Sequence, residues 1–318
     1  MRRILFCLLF VFFAQISFGQ TQMNMATDFP CKGCFGYSNP NANLDALRSV
    51  EYARLQEIFE DISKNSDIEF NYPQAACQQR TQYLSMLLTK KYRLDHFRVW
   101  LFAPVDLYKE SKEHLEIKDI NDLSENGVIK WKYHVAPAVK IKDQVYVIDP
   151  SLDSKKPMIL DDWLKPFSSS KTSKYSFISS EYYFFYRAYD NSSNPPTLLD
   201  VINGQFYLYG KNLQDSLTVE QGLAINDTAM SIYRKYILPL KTSKTEADKE
   251  KLKKLKLVFG NFNNLQNFLG LKSETNGQIG TTTYRDFYAD HGDVAVEAGR
   301  IYAERILFWT KKTNELLK

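Results

Sequence analysis

Apolar positions along this chain change their period several times, and each change marks an element. Residues 4–16 form an almost unbroken apolar run behind Arg2 and Arg3. The run is too short for a membrane span and leads to the small residues Ser17 and Gly19, so it predicts a secretory signal over residues 1–19. Residues 20–43 are polar and broken by Pro30, Gly33, Gly36 and Pro40, which reads as an irregular linker. Over 44–63, Leu47, Val50, Ala53, Leu55, Ile58, Phe59 and Ile62 recur at helical spacing. A second helix is expected over 77–92, with Leu84, Leu87 and Leu88 on one face.

Strand patterns follow. Residues 97–102 carry the apolar run Val99-Trp100-Leu101-Phe102, and the charged stretch 104–128 reads as a loop with one helical turn. Two strands, 131–141 and 144–148, are expected to form a hairpin turning at Lys142-Asp143. An aromatic strand over 182–187 precedes a Ser/Asn/Pro break at 191–196, where a boundary is expected between a domain at 44–192 and another at 193–318. Beyond a short hairpin near 206–209, helices are expected at about 216–238, 245–271 and 284–317. Pro239 ends the first of them. Val294, Ala298, Ile301 and Phe308 give the last its helical spacing. The resulting class is α+β, with a mostly helical C-terminal region.

Charge narrows the partners. The formal net charge is +4, and two of its positive charges sit on Arg2 and Arg3. What remains is too small for an electrostatic case for nucleic acid. The mixed signs in the lysine-rich stretch 241–256 read as a solvated helix face. Cys7 lies inside the leading apolar run and not behind a lipobox, so no lipid anchor or stable membrane attachment is expected. The mature chain is expected to be exported, periplasmic or extracellular. Of four cysteines, Cys31, Cys34 and Cys77 follow the signal. Cys31-Lys32-Gly33-Cys34 reads as a local disulfide or a pair of free thiols, which leaves Cys77 as the odd thiol.

The candidate chemistry is an order. Cys77 opens a helix, His134 lies within a strand, and Asp149 ends the next strand. Alternation puts His134 on the face opposite Tyr133 and Val135. A hairpin turning at 142–143 would set Asp149 across from Ala136, one diagonal step from His134. A helix N-terminus and a neighbouring imidazolium both favour a thiolate. The carboxylate would orient the imidazole. Amide N–H groups around Cys77 would supply part of an oxyanion hole, and Gln74 is a candidate second donor. Each residue alone has an ordinary explanation: a core cysteine, a structural strand histidine, an Asp-Pro-Ser turn. Together they point to a thiol hydrolase acting on an amide.

Three segments carry a resemblance. Tyr72-Pro73-x-x-x-Cys77-x-x-Arg80, Tyr133-His134-Val135-Ala136 and Ile148-Asp149-Pro150-Ser151-Leu152 resemble the bacterial protein-glutamine glutaminases, which are protein deamidases. Trp163 and Tyr186-Arg187 are similar to that family's tail. The resemblance covers about residues 45–190. It implies an α+β fold related to papain-like proteases and transglutaminases. In it Cys77 would be the nucleophile, His134 the base and acid, and Asp149 the orienting carboxylate. It further implies hydrolysis of the side-chain amide of protein-bound glutamine through a γ-glutamyl thioester, with a protein or peptide as substrate and no cofactor or metal. Gln74-Ala75-Ala76 departs from the family's acidic-glycine step, and the helical C-terminal region has no counterpart in it.

Other readings of the same triad are a transglutaminase-like cross-linker, and a peptidase or amidase of cell-wall peptides. A non-catalytic exported binding module is a third alternative. The C-terminal helices read as a packing or docking region, or as a regulatory cover over the cleft. Asp290-His291-Gly292-Asp293 reads as a helix start or loop in preference to a metal site. Oligomeric state leaves no mark on the sequence.

Overall fold

The computed structural model describes residues 40–271 and 281–318, less residues 109, 170, 187–188, 191–196, 199–204 and 210–216. The expected signal over 1–19, Cys31, Cys34 and the break at 191–196 lie outside these residues. Helix α1 spans Tyr52–Asn65 and buries the stripe Leu55, Ile58, Phe59 and Ile62. The expected start at 44 is corrected. Leu44–Ala46 form one 3-10 turn on the Asn43 side chain. Contacts elsewhere hold the chain after it: Arg48 is gripped by Asp95, and the Val50 N–H donates to the Lys140 carbonyl. Tertiary contacts here override a helical period.

Helix α2 spans Cys77–Lys90, and every residue from Cys77 to Leu88 is buried. Strand β1 is Phe97–Phe102, as expected, and the short helix α3 is Pro104–Leu107. The stretch expected as a loop also holds a strand pair, β2 at Leu115–Lys118 and β3 at Val128–Trp131. They pair antiparallel from Leu115↔Trp131 to Lys118↔Val128. The alternation Leu115-Glu116-Ile117-Lys118 is a strand period that the surrounding charge obscures. The strand expected from 131 begins after a break at Lys132: β4 is Tyr133–Ile141. Then come β5 at Gln144–Val147, β6 at Met158–Ile159, helix α4 at Leu160–Leu164 and β7 at Lys174–Ser179.

These strands build a five-stranded antiparallel sheet in the order β6-β5-β4-β1-β7. The β4–β5 hairpin turns at Lys142-Asp143, where Lys142 takes a left-handed φ of 53°. Beyond the sheet, β8 is Tyr182–Tyr186, β9 Tyr189–Asp190, β10 Thr197–Leu198 and β11 Gln205–Leu208. β8 pairs with β11, and β9 with β10.

The C-terminal region is helical, as expected, with more breaks than the pattern predicts. Helix α5 is Val219–Ile232, opened by a capping box between Thr218 and Gln221. It runs on through a π turn at Tyr233–Ile237 into a 3-10 turn at Leu238–Thr242. The single helix expected over 245–271 is two: α6 at Glu246–Phe259 and α7 at Phe262–Phe268, the second capped by Asn261. Gly260 stands at the break because a Cβ there would lie 2.0 Å from the Leu123 carbonyl oxygen. The last expected helix is also two, α8 at Thr281–Asp290 and α9 at Gly292–Leu317, separated by His291. Within Asp290-His291-Gly292-Asp293, Asp290 thus ends α8, His291 is the N-cap of α9, and Gly292 and Asp293 open α9.

Helix α2 lies between the two halves. On one side it packs on β4, and one buried cluster joins Leu84 and Leu88 to Val139 and Ile148. On the other side α5 and α9 close over it. The Tyr83 ring meets Trp309 edge-on at 5.1 Å. Gly222 lets α5 approach so closely that a Cβ there would lie 2.4 Å from Gln79 Cγ.

Candidate active site

The turn before α2 aims Cys77. Pro73 and Gln74 end the preceding segment, and Ala76, the N-cap, adopts a left-handed φ of 60°. For a residue with a Cβ that conformation costs about 1–2 kcal/mol, so the surroundings must enforce it. They do so through Arg80, one helical turn onward. Its Nη1 donates to the carbonyl oxygens of Tyr72 at 3.1 Å and Ala75 at 2.8 Å. No side chain caps α2, and its N-terminus beside the sulfur favours negative charge. Gln74 turns its amide nitrogen away, to Asp119 Oδ2 at 2.9 Å and Ser124 Oγ at 3.3 Å.

The hairpin supplies the other two residues. Ala138↔Val147 and the bond from the Ile148 N–H to the Pro137 carbonyl carry the register to Asp149 opposite Ala136, the pairing that the turn predicts. His134 Nε2 lies 2.8 Å from Asp149 Oδ2. Asp149 also accepts from Trp163 Nε1 at 3.0 Å and from Ser151, through its backbone N–H at 3.2 Å and its hydroxyl at 2.5 Å. His134 stacks on Trp131 at 4.8 Å and on Trp163 at 5.6 Å, the ring planes within 25° in both pairs. The Trp131 N–H donates to the Gln74 carbonyl, which ties the wall behind the imidazole to the turn before the cysteine.

Cys77, His134 and Asp149 therefore meet in one place, and all three are buried. With Nε2 committed to Asp149, Nδ1 is the nitrogen that faces the thiol. Ring and thiol interact, yet Nδ1 forms no well-aligned hydrogen bond with any described residue. Burial pushes the Cys77 thiol up, but His134, the Arg80 guanidinium and the Val135 backbone pull it further down, so the thiolate is favoured. Burial pulls His134 down, and the Asp149 and Cys77 charges overcome it, raising it to about 9. Burial pushes Asp149 up, and His134, Ser151 and Trp163 hold it down at about 2. These shifts favour a thiolate–imidazolium pair backed by a carboxylate.

Sequence patterns alone find the three central residues and miss the group that fixes them. Trp131 reads as an ordinary strand residue, and its stack on His134 depends on the break at Lys132. Ser151 has a readable signal, since a hydroxyl two residues after an aspartate commonly closes an Asx-type turn. Gln74 departs from the donor role expected of it because Asp119 and Ser124 hold its nitrogen.

The architecture and this cluster define an α+β domain with a buried Cys/His/Asp constellation at the end of a helix. Residues 55–167 match the family model described as Glutaminase. That segment contains all three residues. A solved structure titled "Crystal structure of pro- protein-glutaminase" is 21% identical, with the match covering 57% of this chain and 58% of that chain at a TM-score of 0.36. No curated protein matches.

Proposed function

We propose that this protein is a cysteine-dependent deamidase of protein-bound glutamine, exported before it acts. The observation that carries the reading is the buried arrangement of Cys77, His134 and Asp149 inside the segment that matches the glutaminase family. Glutamine is the substrate class that family implies, and its long, narrow side chain suits a sulfur with only 7% exposure.

In the proposed reaction the Cys77 thiolate attacks the γ-carboxamide carbon. Negative charge develops on the carboxamide oxygen beside the uncapped first turn of α2, where each aligned N–H contributes about 2.7–4 kcal/mol. The His134 imidazolium gives its proton to the nitrogen, the C–N bond breaks and ammonia leaves. A γ-glutamyl thioester remains on Cys77. Neutral His134 then takes a proton from water as the water attacks the thioester, and glutamate is released. Asp149 holds the ring so that Nδ1 faces the sulfur and supports the imidazolium each time it forms. The stacked indole of Trp131 favours the same charged state. None of these steps calls for a metal or an organic cofactor.

Incubation with a glutamine-containing protein tests the reading. Ammonia release without chain cleavage or cross-linking is the expected result. Peptide fragments would instead assign a peptidase, and covalent oligomers a transglutaminase-like transfer.

A further inference from the structure

Behind the proposed nucleophile lies a small cleft of about 200 Å³, counting its open mouth. Its enclosed part is about the size of one water molecule. Two buried polar atoms on its lining residues lack hydrogen-bond partners among the described residues: Arg80 Nη2 and His134 Nδ1. Cys77 and Asp149 line the same cleft, and Leu84 and Ile148 make its wall apolar. A buried guanidinium N–H without an acceptor costs about 1–3 kcal/mol or more, and so does a buried ring nitrogen. A cavity that has room for one water, and whose lining residues carry buried polar atoms without partners, is where a protein holds an ordered water.

We infer that this cleft is a built-in site for the hydrolytic water, held by Arg80 Nη2 and His134 Nδ1 next to Cys77. The role of that water rests on the deamidase reading; its binding does not. Arg80 Nη2 donates to the water oxygen and keeps one lone pair aimed at the acyl carbon. After ammonia has left, His134 is neutral and its Nδ1 accepts a water proton. The water oxygen forms the new C–O bond. The C–S bond breaks with its electron pair going to sulfur. The products are a γ-carboxylic acid and the regenerated thiolate–imidazolium pair, so atoms and charge balance. Arg80 is thus a positioning residue acting through water, in addition to bracing the Ala76 turn through Nη1. The arrangement also gives a physical reason for hydrolysis to outrun transfer to an amine, because water has a prepared place and a larger nucleophile has none.

Two measurements test this. The first is a high-resolution crystal structure of the unmodified protein. Density for a water within hydrogen-bond distance of Arg80 Nη2 is expected, and a cleft without it overturns the inference whatever the activity. The second follows ammonia and glutamate release from a glutamine peptide, with and without hydroxylamine as competing nucleophile. In Arg80→Lys and Arg80→Met the ratio of hydrolysis to hydroxamate formation should fall by about ten- to a hundredfold, more in Met than in Lys. Ammonia should appear in a burst as the acyl-enzyme accumulates. An unchanged ratio with slower ammonia release in both phases would show that Arg80 only braces the turn, and would sink the proposed role. If the unmodified protein releases no ammonia at all, the deamidase reading and the water's role in it fail, while the water site still stands or falls on the density.

Discussion

The sheet edge around Cys77 and the helical region beyond residue 219 are both well buried, but they are built by opposite rules. In the helical region the local signals agree with one another. Side chains of Thr218, Thr245 and Asn261 cap their helices, and Ile225, Ala229, Phe259, Phe268 and Ala298 fill an apolar core. Asn226, Asn264 and His291 are exceptions there, each with a buried side-chain atom that has no hydrogen-bond partner among the described residues. Around Cys77 the exceptions collect. Ala76 is left-handed, α2 lacks a side-chain cap, Arg80 Nη2 is buried without a hydrogen-bond partner among the described residues, and His134 Nδ1 faces only the thiol. Cys77, His134 and Asp149 are buried together there, and their mutual interactions favour the charged forms. Violations of local rules are expected where a chain stores function, and several of them lie at this turn and hairpin. The consistent region does mechanical work for the inconsistent one, because α5 and α9 form the second wall of α2.

The sharpest way to break this contrast is Cys77→Ala. Ammonia release should drop to background while the thermal midpoint stays within a few degrees, since little volume is lost. His134→Ala should reduce turnover by about 10²–10⁴-fold, the range of general acid–base catalysis. A comparable substitution at the exposed Val296 should leave turnover unchanged.

Trp309→Ala tests the mechanical half of the contrast. Trp309 is fully buried, packs on Tyr83 and donates to Asp227 at 2.7 Å. Its loss should cost about 3–5 kcal/mol. Because the core around Trp309 also contains Leu84, Val139 and Ile148, denaturant should unfold sheet and helices in one transition. Two separated transitions would contradict the shared core.

The pH profile follows from the site's charges. The active pair needs Cys77 ionised and His134 protonated. With the thiol lowered and His134 raised to about 9, activity should form a plateau through neutral pH and fall on the alkaline side near 9. The stabilisation from His134 is complete below its ordinary value of 6.5 and is lost as pH rises through about 9. That from Asp149 is complete above 3.8 and is lost as pH falls towards about 2. A rate that keeps rising above pH 10 would mean that His134 is neutral at rest. The smallest expected effect is that of Trp163→Phe, which keeps the ring but removes the N–H held by Asp149; turnover should fall about tenfold.

The sequence carries the site's order and much of the frame. The apolar run within Phe97–Phe102 and the hairpin turning at Lys142-Asp143 are readable because a short buried strand and turn chemistry are local signals. The pairing of Asp149 with Ala136 follows from that turn by counting. Less legible are the features set by distant contacts. Asp95 and Lys140 hold residues 48–50 out of a helix that their own period suggests, and Gly260 breaks a helix to pass the Leu123 carbonyl. The strand β7 is paired to β1 through the whole span Phe97↔Ser179 to Phe102↔Lys174, and its alternating Tyr175, Phe177 and Ser176, Ile178 go unread in a polar setting. At the site, Trp131 and the Arg80 grip on Tyr72 and Ala75 depend on folded geometry and leave only a spacing behind.

The central claim concerns one bond in a substrate, and the mass of that substrate tests it most directly. A folded glutamine-containing protein, incubated with this protein and with Cys77→Ala in parallel, should remain a single intact chain. Each modified site should change in mass by the replacement of a carboxamide NH₂ with OH, at a glutamine, with one ammonia released. Unchanged mass with the unmodified enzyme, or the same gain with Cys77→Ala, would contradict the account.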